Sequence, residues 1–338
     1  MPDDPLVECV PNVSEGRDPD VIAALAAAVH GVPGVRLLHV DPGVDAHRTV
    51  FTFTGPPESV GDAAIALAQV VATRVDMRRQ RGAHPRLGAL DVCPFVPVRG
   101  VSLERCALLA RRVGATIGHD LGVPVFLYEA AAFDPARRAL PLLRRGEYEG
   151  LPRKLQDPAF RPDFGPAVAH PTMGAAIVGA RPFLIAWNLS LDTQDEGVAC
   201  AIAGRVRASG STSVEGGTRV HHPGLLPAVR AVGWSMPAYG HAQVSLNLLD
   251  FTITPMHAAW QAVEREAAVR GVRVIGSELV GLVPLDALRA VGQASLGEDA
   301  AGASDAALVD AAVASLRLDA IHPFDPRERI LEWVIGLA

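Results

Sequence analysis

RGAHPRLGALDVCPFVPV, residues 81–98, joins a short polar turn to a dense apolar run. His84 sits in the turn, and residues 90–98 read as a buried strand. A loop histidine fastened to such a strand can be held rigidly and still face solvent. Neutral imidazole titrates near ~6.5, so it both takes and gives a proton near neutral pH. The plain alternative is a surface histidine that only opens a strand.

Toward the N-terminus the pattern predicts a strand at 7–10, a loop at 11–16 and a helix at 21–29. Asp18 or Asp20 would cap that helix, with Pro19 in its first turn. Strands at 35–40 and 48–54 and a helix at 56–75 complete the approach to the 81–98 stretch. Beyond it come a helix at 103–121 and a strand at 123–128.

A second half repeats this plan. A strand at 183–191 ends in Asn-Leu-Ser, much as the first half gives Asn-Val-Ser at 12–14. A helix near 197–208, strands near 226–232 and 242–253 and a helix at 255–270 follow. Residues 272–275 and 278–284 echo 90–97. Strands outnumber simple βα alternation, which favours two ferredoxin-like split βαβ units over a doubly wound sheet.

The expected fold is therefore α/β (α+β), with similar subdomains at 1–180 and 181–338, a cleft between them and C-terminal helices. Residues 134–182 are rich in Pro, Gly and Arg and read as an irregular connector bordering that cleft. Residues 297–304 read as an exposed loop, and 326–336 as a final helix docking back.

At 338 residues and 49% apolar, the chain can bury a large core, and its net charge of −6 argues against a nucleic-acid binder. Lys154 is the single lysine. Cys9, Cys93, Cys106 and Cys200 form no CxxC pair, which fits reduced cysteines in a cytoplasmic protein. The acidic start lacks a signal-peptide core, and no run reaches membrane-spanning length. Neither membrane nor nucleic acid is expected as a partner.

No dinucleotide, Walker, zinc-protease or nucleophile-elbow motif occurs. His221 and His222 sit in a Gly/Ser-rich stretch with no third ligand nearby, so no metal is expected. Asp41 and Arg48 flank a polar turn between two strands. Asp41 reads either as a functional group at a strand end or as a turn aspartate. Arg48 reads as a carboxylate clamp or as a solvated strand end.

Taken together, VPNVSEG (10–16), DPGVDAHRTVFTFTGPPE (41–58), RGAHPRLGALDVCPFVPVRG (81–100), RGEYEGLPRKL (145–155), PDFGP (162–166), FLIAWNLSL (183–191), AQVSLNLLDF (242–251), ELVGLVPLDAL (278–288) and LDAIHPFDPRERI (318–330) resemble the glutamate formiminotransferase family, nearly end to end. The resemblance implies transfer of a formimino group from N-formimino-L-glutamate to tetrahydrofolate, a co-substrate, in histidine breakdown. It also implies a homodimer of two similar subdomains with folate between them.

The family's catalytic histidine falls on His84. Its folate-binding stretch falls on Gly165, Pro166, Ala167, Val168, Ala169, His170, Pro171, Thr172, Met173 and Gly174. Of these, Gly165, Pro166, Pro171 and Gly174 match, while Ala167, Val168, Ala169, His170 and Met173 depart from the animal form. His47 stands where many members carry asparagine. Animal members are often fused to a cyclodeaminase, a step not expected of this chain.

In this reading His84 shuttles the proton, Asp41 stabilises the positive amidine or orients His84, and Arg48 holds a glutamate carboxylate. Formyl transfer from N-formylglutamate and a non-catalytic folate-binding protein are the alternatives.

Overall fold

In the computed structural model, which describes residues 4–236 and 240–337, Pro11 breaks the first strand in two. Proline has no N–H to give to a ladder. Both pieces, β1 (Leu6–Cys9) and β2 (Asn12–Val13), nonetheless pair with the same two neighbours. Phe51 N reaches Pro11 O at 3.0 Å across the break. The chain separates into two compact units, Met1–Pro182 and Phe183–Ala338.

In the first unit, Asp18 caps α1 (Pro19–His30) by accepting from the backbone N–H groups of Asp20 and Val21. An antiparallel pair follows, β3 (Arg36–Gly43) and β4 (Arg48–Gly55). Helix α2 (Pro57–Arg74) opens on proline at its first turn. It leads through the His84 loop to β5 (Leu90–Arg99). With β1 and β2 counted as one strand, the order β3-β4-β1/β2-β5 is antiparallel throughout. That is the ferredoxin-like βαββαβ arrangement.

Helix α3 (Leu103–Asp120), capped by Ser102, then crosses over to β6 (Val125–Glu129). Its buried residues Cys106, Leu109, Ala110, Val113 and Ile117 recur at helical spacing on one face.

Residues 134–182 are not a plain connector. They carry two short helices, α4 (Leu140–Arg144) and α5 (Glu147–Lys154). They end in β7 (Ala176–Ala180), which lies between β5 and β6 and runs parallel to both. Leu143, Leu151 and Leu155 pack with Val92, Phe126, Tyr128 and Ile177. Those strand residues alternate with Val125, Leu127 and Val178, which belong to the helix-side core. The segment therefore covers the second face of the sheet. Its Pro and Gly content hid helices too short to show a period.

The second unit repeats the plan. β8 (Ile185–Leu191), α6 (Glu196–Val206), a hairpin of β9 (Ser211–Glu215) and β10 (Thr218–His222), β11 (Val229–Met236), β12 (His241–Leu248), α7 (Met256–Val269) and β13 (Val274–Val280) follow in sequence. The sheet order β11-β12-β8-β13 is again antiparallel throughout. Trp187 and Trp260 stack at 6.1 Å in its core.

Some local expectations need correction. The strand expected at 242–253 stops at Leu248, because Asp250 Oδ1 accepts from Thr252 N (2.9 Å) and closes a turn. His221 and His222 lie on β10, not in a loop. Residues 285–296, which carry no expected helix, form α8 (Leu285–Leu296); it starts directly after Pro284. α9 (Asp305–Leu316) follows a short turn at 297–300.

The terminal helix is split into α10 (Pro326–Arg329) and α11 (Leu331–Ile335). Between them buried Ile330 is extended and bridges Val283.

Candidate functional site

The His84 loop is tied down on two sides. Ala83 N donates to Asp45 O (3.1 Å) at the β3–β4 turn, and Ala89 N donates to Met173 O (2.8 Å). Gly88 makes the second approach possible. A Cβ there would lie 2.0 Å from Ala175 O and 2.3 Å from Met173 O, both backbone atoms. Ser14 Oγ donates to Gly88 O (2.8 Å) and fixes the loop against β2.

Asp91 is fully buried in β5, inside a run that otherwise reads as apolar. A buried carboxylate must be paired. Arg48 Nη1 and Arg144 Nη2 each reach its Oδ2 at 2.5 Å, and Leu87 N donates to its Oδ1 at 2.7 Å. Burial pushes its pKa up, but Arg144, Arg48 and these hydrogen bonds outweigh burial and hold the carboxyl at about 2. Arg48 also donates through Nε to Asn12 Oδ1 (2.9 Å). Desolvation lowers its own pKa to about 10, so it stays charged at neutral pH.

Arg48 opens β4, as its position in the sequence suggests, but it faces an internal carboxylate. That ion pair takes the guanidinium expected to clamp a substrate. Asp41 lies two residues inside the end of β3, opposite Val50. Val50 in turn pairs with Asn12. Cross-strand partners share a sheet face, so Asp41, Asn12 and Arg48 lie on one face.

His84 is half-buried, and its Nδ1 donates to Pro85 O (2.7 Å). In the neutral ring the lone pair then sits on Nε2. Desolvation, followed by the charges of Arg48 and Arg144, pushes its pKa well below the usual histidine value. The imidazole is therefore neutral at physiological pH.

A second network braces the loop. Arg86 donates to Gln80 Oε1 (2.9 Å), Glu147 Oε2 (3.0 Å) and Glu149 Oε1 (2.7 Å). Gln80 Nε2 donates to His47 O (3.0 Å). His47 takes the left-handed backbone (φ 49°), and its Nε2 lies 3.2 Å from Glu15 Oε1.

In the 165–174 stretch, residues 165–168 are exposed, with Val168 at 70%. Gly165 has φ +77°, and a Cβ there would meet Val123 O at 2.2 Å. His170 and Gly174 exchange two backbone hydrogen bonds of 2.9 Å. His170 Nδ1 accepts from Met173 N (3.1 Å), which puts its proton on Nε2. Met173 is a core residue.

Sequence reasoning missed Asp91, Arg144, Arg86, Glu147 and Glu149. The one available signal was a lone aspartate in the apolar run at 90–98.

In comparisons with known proteins, residues 6–181 match the formiminotransferase domain, N-terminal subdomain, and residues 186–336 match the formiminotransferase domain. The chain is 44% identical over 331 residues to the formimidoyltransferase-cyclodeaminase of Gallus gallus, covering 98% of this chain and 60% of that protein. It is 38% identical over 283 residues to a glutamate formimidoyltransferase of Streptococcus pyogenes serotype M1, covering 84% of this chain and 90% of that one. It is 40% identical over 285 residues to a glutamate formimidoyltransferase of Thermoplasma acidophilum, covering 84% and 89%. The chain thus spans 60% of the length of its cyclodeaminase-bearing relatives.

Proposed function

The chain belongs to the formiminotransferase family, and on that premise we propose that it transfers the formimino group of N-formimino-L-glutamate to N5 of tetrahydrofolate, releasing L-glutamate in histidine degradation. The accepting nitrogen must lose a proton as its bond to the formimino carbon forms. The glutamate nitrogen must gain one as its bond to that carbon breaks. His84 Nε2 takes the first proton and returns it to the leaving nitrogen, so the ring ends each cycle neutral. Protonation of the amidine makes its carbon electrophilic, and Asp41 is assigned to that positive charge.

The observation that carries this reading is the state of His84. Burial and two guanidiniums keep the imidazole neutral, and the Pro85 carbonyl directs its lone pair to Nε2. A group that only binds folate has no need of such a base. Arg48 is assigned to holding Asp91. Gly165, Pro166, Ala167, Val168, Ala169, His170, Pro171, Thr172, Met173 and Gly174 are assigned to tetrahydrofolate. In support, this stretch offers exposed backbone at 165–168 and a His170 Nε2–H donor. We assign the protein to the cytoplasm as a homodimer; among the described residues no helix is long and apolar enough to cross a membrane.

The test is steady-state transfer from N-formimino-L-glutamate to tetrahydrofolate, with wild type and His84→Ala side by side and N-formyl-L-glutamate as a second donor. Turnover of the formimino donor by wild type and its loss in the variant are expected. Equal turnover by both proteins overturns the role of His84. Transfer from the formyl donor alone overturns the substrate.

A further inference from the structure

Asp91 is one carboxylate serving two guanidiniums, so the buried Arg48–Asp91–Arg144 cluster carries a formal charge of +1. An uncompensated charge in a desolvated place is costly, and an anion that reaches it gains accordingly. The three members differ in access. Asp91 is fully buried, Arg48 is 7% exposed and Arg144 is 15% exposed. Arg48 also spends its Nε on Asn12.

Arg144 uses Nε and Nη2 for Asp91, at 3.4 and 2.5 Å. Among the described residues it hydrogen-bonds nothing else, which leaves the Nη1/Nη2 edge of its fork. That edge matches the two oxygens of a carboxylate.

The neighbouring charges favour this spot over its rivals. Arg86 sits between Glu147 and Glu149, an excess of one negative charge, but those carboxylates are 42% and 59% exposed and water screens them. A cavity of about 260 Å³ in the same unit is lined by Glu15, Asp18 and Asp76 as well as by Arg74 and Arg79, so it offers an anion no net attraction.

We propose that the outer edge of Arg144, set by the buried Asp91 it shares with Arg48, is a carboxylate-binding subsite for the amino-acid donor and product. It rests on the transfer reading for the identity of its ligand. Arg144 ends the short helix α4, and the amine of Lys154 caps that helix by donating to Leu143 O. The segment 134–182 thereby delivers a guanidinium whose charge is felt at His84. The subsite would hold glutamate beside the proton shuttle.

Binding of L-glutamate to the intact chain, measured calorimetrically without folate, tests this apart from catalysis. Glutaramide is the uncharged probe and Arg105→Gln, on the exposed face of α3, the control. Wild type should bind glutamate and not glutaramide. Arg144→Gln should weaken glutamate binding by about tenfold to a hundredfold, as expected for one charge-assisted fork. Arg144→Lys, which keeps the charge and loses the fork, should lie between, and it decides the matter if Arg144→Gln does not fold.

Glutamate affinity unchanged in Arg144→Lys and Arg144→Gln overturns the subsite, as does wild type that binds no glutamate at millimolar concentration. Transfer assays on the same samples separate the two readings. Wild type that binds glutamate through Arg144 but transfers nothing overturns the proposed reaction and leaves the subsite standing.

Discussion

Asp91→Asn should cost the first unit a large part of its stability. The side chain is isosteric and fully buried, so packing is preserved and the charge alone is removed. A carboxyl held at about 2, against an ordinary 3.8, contributes about 2.5 kcal/mol at neutral pH. Because its folded pKa is depressed, that contribution is complete above pH ~4 and is lost as pH falls toward ~2.

The substitution does more than protonation does, because it also turns an amide N–H2 toward the donors Arg48, Arg144 or Leu87 N, where each Asp91 oxygen now accepts in a desolvated site. Breaking a buried pair in this way costs about 3–5 kcal/mol, against a typical total of about 5–15. Urea unfolding followed by two probes reads this out. All four tryptophans, Trp187, Trp234, Trp260 and Trp333, belong to the second unit, so their fluorescence reports that unit while far-ultraviolet circular dichroism reports both. The dichroism transition should move to lower urea. A loss below about 1 kcal/mol, or a shift confined to tryptophan fluorescence, would refute the claim that Asp91 holds two buried guanidiniums together.

His84→Ala should lower kcat by about 10²–10⁴-fold with tetrahydrofolate affinity retained, checked by steady-state kinetics and equilibrium binding. The acid limb of kcat/KM should fall below the ordinary histidine range. His84 has a lowered pKa and is protonated, and so disabled as a base, only at lower pH; a limb centred near ~6.5 contradicts the desolvated site. Gly88→Ala should destabilise the fold by more than about 2 kcal/mol, because its Cβ would sit 2.0 Å from the Ala175 carbonyl and the loop must move; a thermal midpoint equal to wild type counts against it.

The repeat of βαββαβ units was readable because each element is local. Periodicity finds α3, and alternation with β-branched residues finds β4. The His84 turn was readable for the same reason, since a histidine beside Gly and Pro at the mouth of an apolar run is a contiguous signal. What surrounds it was not contiguous. Asp91 meets Arg48 across 43 positions and Arg144 across 53, and Arg86 meets Glu147 and Glu149 across 61 and 63. Arg144 lies in a stretch whose composition reads as loop, on a helix too short for a period.

Hydrophobicity alone treated 90–98 as an apolar strand and passed over its one charge. Yet a buried aspartate there has a large desolvation cost, so the sequence did contain a demand for distant cations. It held no information on which of its many arginines answer it. That is why Arg48 looked free to clamp a substrate. The tertiary fold gives Arg48 to Asp91 and leaves the outward edge of the pair to Arg144. The residue to which we assign the proton shuttle is thus legible in local sequence, whereas its protonation state and the net charge beside it depend on how Arg48, Asp91 and Arg144 are brought together by folding.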